Sequence, residues 1–348
     1  NRGQAYSRLK DFDNALTSYS QALGINLTEF GHDHRATATN YKNIASASLQ
    51  KGDYTRAVYA CRQLLSFSFE ALAPHDPLRA DAHDILGLAW YRLDRIDNAL
   101  DSYHNALSIL QNIWGTGNPA LTTVYNNLAA CYRENREPGK AIFYHEKAAS
   151  IFENGEEKNS LQAADTFYDL GVAYTTIRNY AKAAINYKTA HVIRQPLLGE
   201  SHPATTIALS SLGVALKYNR DYDAAINIFQ ELLAMKSDFS GATNLTVTQI
   251  YNALGELYYL KNNTIASIDY YEKAIQSGQA ENNHEPVITA CVNIAAAFLK
   301  QGDYDRAVSR LQHCLRIYRD RLGPEDPYIR LLEKNLAVAI RERQEGLN

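Results

Sequence analysis

The chain has 348 residues, 46% apolar and 21% charged, a balance typical of soluble folded proteins. It excludes a disordered chain, and no apolar run is long enough for a membrane-spanning helix. A formal charge of -3 supplies no basic field for polyanions, so nucleic acid is excluded as the main partner. Cys61, Cys131, Cys291 and Cys314 stand far apart with no CxxC pair; they read as reduced core residues, which favours the cytoplasm or another reducing compartment.

In chain order the sequence repeats itself. Small residues fall at Gly3, Ala45, Gly87, Ala129, Gly171, Gly213, Gly255, Ala295 and Ala337, 42 apart except for a step of 40 between Gly255 and Ala295. A second small residue follows twelve later, from Ala15 to Ala307, and a large one sixteen later at Tyr19, Tyr103, Tyr187, Phe229 and Tyr271. Three- and four-residue apolar spacing inside each unit predicts two amphipathic helices, hence a helical hairpin. The excess of Tyr, 24 residues, is largely this signature.

The first unit, 1–32, is cut, because Gly3 already lies partway down its first helix, so the chain is expected to be a fragment of something longer. No targeting pattern is visible at Asn1-Arg2-Gly3-Gln4. Unit 33–75 turns at Lys51-Gly52-Asp53-Tyr54. Unit 76–117 opens on Asp76-Pro77 and unit 118–159 on Asn118-Pro119, each a capping residue before a Pro at the first helical position. Units 160–201, 202–243 and 244–283 open on Ser160, His202-Pro203 and Asn244. Unit 284–325 follows, and Asp326-Pro327 starts a solitary capping helix over 326–345. Gly31, Gly115, Gly199, Gly241 and Gly323 are expected to stop second helices in a left-handed conformation. Two breaks stand out: 153–158 replaces one such stop and is expected to be a mobile loop, and Gly278 arrives early, predicting a changed stacking angle.

These columns resemble the tetratricopeptide repeat. Leu-Leu-Gly-Glu-Ser-His-Pro at 197–203, Leu-Gly-Pro-Glu-Asp-Pro at 322–327 and Asn126-Asn127-Leu128-Ala129-Ala130-Cys131-Tyr132 are similar to the 42-residue repeats of kinesin light chains and nephrocystin-like proteins. The resemblance covers essentially the whole chain. It implies an all-α, right-handed α-α superhelical solenoid of eight hairpins plus the capping helix, with first helices lining a concave groove. No kinesin-type heptad region is present in these residues.

On that frame the groove candidates follow by column: Lys42, Asn43, Arg92, Asn126, Asn127, Arg133, Tyr168, Lys217, Asn252, Tyr259, Asn293 and Lys300. Asn43, Asn127 and Asn293 share one column, where a side-chain amide can bond both edges of an extended peptide backbone. The basic row Arg92, Arg133, Lys217 and Lys300 suits acidic side chains or a terminal carboxylate. Asn and Lys at exposed helix ends are also ordinary solvated residues. His32-Asp33-His34 resembles a metal cluster, but His34 falls in the capping column and no third ligand is near. No phosphate-binding, dinucleotide-binding or nucleophile-elbow motif occurs. The expected function is therefore a non-catalytic interaction scaffold or adaptor with no cofactor and no metal. Its expected partner is a protein or linear peptide, acidic in part. A subunit of a large assembly and a sensor or oligomerisation arm of a multidomain protein fit the same features.

Overall fold

The computed structural model describes residues 2–68, 70–238, 245–281 and 284–346. Those residues form seventeen α-helices and one 3-10 turn, with no strand. They divide into two compact units, Asn1–Ile177 and Arg178–Asn348. Among the described residues no helix is long and apolar enough to cross a membrane.

The first unit holds α1 (Arg2–Arg8), α2 (Phe12–Phe30), α3 (Arg35–Lys51), α4 (Tyr54–Leu65), α5 (Pro77–Arg92), α6 (Ile96–Trp114), α7 (Leu121–Glu134), α8 (Pro138–Asn154) and α9 (Leu161–Thr176). Successive pairs pack as hairpins. Side by side, α3 meets α5 and α5 meets α7, whereas the second helices α2, α4, α6 and α8 approach one another less. The second unit holds α10 (Tyr180–Leu198), α11 (Pro203–Tyr218), α12 (Tyr222–Asp238), α13 (Val247–Leu260), α14 (Thr264–Glu281), α15 (His284–Lys300), α16 (Tyr304–Leu322) and α17 (Pro327–Gly346). There α13 meets α15 and α15 meets α17.

Volume compensation sets the spacing inside a hairpin. The first-helix Gly stands against the ring sixteen residues on, so a methyl group at Gly87 would lie 2.7 Å from Cε1 of Tyr103, and one at Gly255 2.6 Å from Cδ1 of Tyr271. Where the column holds Ala instead, the residue sixteen on is not a six-membered ring: Cys61 follows Ala45, His145 follows Ala129 and Leu311 follows Ala295. All three are buried. A ring therefore needs a bare backbone opposite it, and a smaller side chain leaves room for a methyl.

The turns inside the hairpins follow one scheme. Lys10, Asp94, Arg136, Arg178, Arg220 and Asn262 have φ between 58 and 65°, and Gly52 and Gly302 occupy the same column with φ of 89 and 76°. In the first unit Gly52 N–H donates to the Leu49 carbonyl and Asp53 N–H to that of Ser48; Arg136 and Glu137 repeat this on Arg133 and Tyr132. This double bond consumes carbonyls that a helix end leaves free. The next helix is then capped by Asp11, Asp53, Asn179 or Asp303, whose side chains accept an amide three residues on.

Expected caps at His34, Asp76, Ser160, His202 and Asp326 all accept backbone amides. Gly31, Gly115, Gly199 and Gly323 end second helices with φ of 76 to 93°. Gly241 and Asn244 lie outside the described residues; Thr246 caps α13, reinforced by Gln249. Helix α7 begins two residues beyond Pro119, although Asn118 still accepts the Ala120 amide at 2.9 Å. Residues Glu156–Asn159 form the 3-10 turn. Gly278 is not a stop but lies inside α14, where a methyl group would meet Val287 Cγ2 at 2.2 Å and Thr248 Cγ2 at 3.0 Å. The shortened linker thus brings α14 close to α15.

All four cysteines are buried free thiols. Burial pushes Cys61 and Cys131 up to about 12. Cys291 and Cys314, distant in sequence, come together in the second unit, where a bond from Cys291 and burial raise the Cys314 thiol further.

Candidate functional site: the first-helix face

Because first helices lie side by side, polar residues on their common face meet across hairpins rather than within them. In the first unit Lys42 Nζ on α3 stands 3.1 Å from Asp81 Oδ2 on α5. Asn127 Nδ2 on α7 reaches back to Asp84 Oδ1 at 3.3 Å. Asn126 Nδ2 donates to Thr166 Oγ1 on α9 at 2.7 Å, while its Oδ1 lies 3.1 Å from Nδ1 of His145, which fixes that ring as the Nδ1–H tautomer. In the second unit Lys217 Nζ pairs with Glu256 at 2.9 Å and Asn252 Nδ2 donates to the Pro286 carbonyl at 2.7 Å. Lys300 Nζ donates to Asn262 Oδ1 at 2.6 Å and sits 4.4 Å from the centre of the Tyr259 ring.

Several expected groove residues therefore already have structural partners. Lys42, Asn126, Lys217, Asn252 and Lys300 join neighbouring hairpins, and Arg133 contacts its neighbour Glu134 at 3.3 Å. Tyr168 is half-buried on α9. Arg92 is exposed and has no ion pair among the described residues. Asn43 and Asn293 are half-buried and have no hydrogen bond among the described residues. Their amides are open, and the bond at Asn127 is long.

Burial tunes one group on this face and one beneath it, on the second helix α8. The Asp84 carboxyl is pushed up to about 6, chiefly by burial, against the lowering effect of Asn127. The His145 imidazole, 2% exposed, is pushed down to about 4 by burial and by the nearby Arg133 charge, so it is neutral. Asp81 and Asp84 are the acidic side of the face; Asp84 falls in a groove column of the repeat, three before Gly87, whereas Asp81 does not. They are three residues apart on α5, a spacing that places them on one helix surface. The motif at 32–34 resolves into structure: Asp33 accepts the Ser68 amide at 2.9 Å, and His34 caps α3 through Nδ1.

A sequence profile described as Tetratricopeptide repeat matches residues 1–67, 78–154, 157–238 and 246–320. Protein KINESIN LIGHT CHAIN-RELATED 3 of Arabidopsis thaliana is 20% identical over 387 aligned residues, covering 98% of this chain and 59% of the relative. The chain thus spans under two thirds of that relative's length. Among solved structures, BtubC (BKLC) from P. vanneervenii is 22% identical with a TM-score of 0.54 and covers 66% of this chain and 92% of its own. The C-terminal part of a TPR repeat-containing protein from Cytophaga hutchinsonii reaches a TM-score of 0.58 at 15% identity, covering 85% of this chain and 99% of its own. These structural likenesses concern the fold alone.

Proposed function

The chain belongs to the tetratricopeptide repeat family, and from that premise we propose that it is a non-catalytic scaffold whose first-helix face holds an extended segment of a partner protein. The observation that carries the reading is one repeat column, which holds Asn43 and Asn127 in the first unit and Asn293 in the second, each unit offering its own face. Two of these amides have no hydrogen bond among the described residues, and the third makes one long bond. An amide that offers a donor and an acceptor on a half-buried face can hold a peptide backbone whatever its side chains. The partner's acidic side chains meet Arg92, because Lys217, Lys300 and Arg133 are engaged within the array. Thiols kept protonated by burial support a role without catalysis.

The test is selection of binders from a random-peptide display library on the immobilised 348-residue chain, followed by affinity measurement on Asn43→Ala, Asn127→Ala and Asn293→Ala. Each substitution removes one or two hydrogen bonds, worth about 1 kcal/mol each, so a loss of about five- to thirtyfold per site is expected. Binders indifferent to all three changes would refute the groove.

A further inference from the structure

In the first unit, residues of α6, α7 and α8 line a cleft of about 660 Å³, within the range of ligand-binding pockets. Thr116, Gly117 and Pro119 from the α6–α7 linker and Gly155 after α8 also line it. Tyr125, Phe143 and Tyr144 form its aromatic wall, and Lys147 is the one charged residue among those lining it.

The second unit contains an internal counterpart. Tyr251, Tyr258, Tyr270 and Lys273 occupy the repeat columns of Tyr125, Tyr132, Tyr144 and Lys147. The geometry is the same in both places. Tyr132 and Tyr144 stack with centroids 5.5 Å apart and planes 2° apart, and Tyr258 and Tyr270 at 5.3 Å and 6°. Tyr125 lies 6.1 Å from Tyr144, and Tyr251 6.2 Å from Tyr270. The two differ at the column one turn before the lysine. In the second unit Asp269, a turn before Lys273, pairs with it at 2.6 Å. In the first unit that column holds Phe143, 51% exposed, and Lys147 stands 5.4 Å from its ring centre with no carboxylate partner among the described residues.

We propose that the cleft between α6 and α8 is a second docking site, for a protein segment that brings an Asp or Glu to Lys147 and an adjacent apolar side chain onto Phe143 and Tyr144. The incoming carboxylate takes the place that Asp269 takes beside Lys273. Phe143 supplies the apolar contact that an aspartate there could not. The two faces would make the first unit a scaffold able to hold two segments at once.

The same display library tests this separately from the first-helix face. A class of binders carrying Asp or Glu next to a large apolar residue is expected. Its affinity should fall about tenfold on Lys147→Glu, which exchanges attraction for repulsion, and on Phe143→Asp, which rebuilds the Asp269–Lys273 arrangement and occupies the ammonium. The class should ignore Asn43→Ala and Asn127→Ala. Both altered residues are exposed, so circular dichroism should be unchanged and report that the variants fold. Absence of an acidic class, or an acidic class whose affinity survives both Lys147→Glu and Phe143→Asp, would overturn the proposal. Loss of affinity on the Asn variants alone would assign the binders to the first-helix face.

Discussion

Replacing Gly87 by Ala sets two physical effects against each other at one atom. Gly costs about 1 kcal/mol more than Ala in a helix interior, so the change should stabilise α5 by that much. The new methyl, however, lies 2.7 to 2.9 Å from three atoms of the Tyr103 ring, which is 1% exposed and has nowhere to retreat. Overpacking of this kind costs about 1 to 3 kcal/mol, so a net loss of about 1 kcal/mol is expected. Gly24→Ala is the control, since Gly24 lies on an exposed face of α2 with nothing within 4 Å of the added methyl. It should gain about 1 kcal/mol, leaving a gap of about 2 between two chemically identical substitutions. Tyr103→Leu in the Gly87→Ala background recreates the Ala295–Leu311 pairing of the α15–α16 hairpin, so the double-mutant cycle should show favourable coupling of about 1 to 2 kcal/mol. Guanidinium unfolding followed by circular dichroism measures the totals, and amide exchange in α5 and α6 localises them, which matters because repeat arrays can unfold in parts. Gly87→Ala gaining as much as Gly24→Ala, or a cycle with no coupling, would refute the volume argument.

Two further outcomes follow from charge and backbone geometry. His145 binds a proton less readily folded than unfolded, so stability should be whole above about pH 6.5 and fall by up to about 3 kcal/mol as pH drops towards 4; urea midpoints at pH 7 and 4.5 for the parent and His145→Gln check it, the variant being the flatter. Asp84 has the opposite sign, its folded pKa being raised to about 6: Asp84→Asn should stabilise at pH 7 by at most about 3 kcal/mol, the gain vanishing near pH 4 as the parent carboxyl protonates in either state. Arg136 holds a left-handed conformation at φ 59°, so Arg136→Gly should raise the thermal midpoint, with a gain of about 0.5 to 1 kcal/mol after the entropy of the more flexible unfolded chain is subtracted; an unchanged or lower midpoint would contradict it.

Some of this fold is written in residue types and some only in their encounters. Helix starts were legible because Asp76, Ser160, His202 and Asp326 combine side-chain acceptors with helical periodicity. The left-handed turn column was half visible: Gly52 and Gly302 announce it, whereas Arg136, Arg178 and Arg220 give no sign of a positive φ except their register with those glycines. Gly278 misled because glycine near a helix end reads as a stop, while here it admits Val287 and Thr248 from adjoining helices. Burial also varies within a column: where Thr206, Thr248 and Ile288 are fully buried, α17 carries an exposed Arg330, and where Leu209 and Cys291 are buried it carries Glu333, ion-paired to Arg319.

The candidate site separates along the same line. Which side chains share the first-helix face follows from the 42-residue register, and the Asn column was found that way. Which of them are free depends on lateral offset between hairpins, a quantity no single repeat contains. Lys42 meets Asp81, Asn126 meets Thr166 and Lys217 meets Glu256, offsets of 39 or 40 residues, slightly under one repeat. Complementary groups at that offset were present in the sequence, but the neighbour's axial position was needed to pair them. Asn43 and Asn293 stay available, whereas Lys217 and Lys300 meet Glu256 and Asn262. Recognition on such a face is then carried by what inter-hairpin bonding leaves over, so loosening one inter-hairpin pair, as Glu256→Gln would at Lys217, should add a charge to the face without adding a residue.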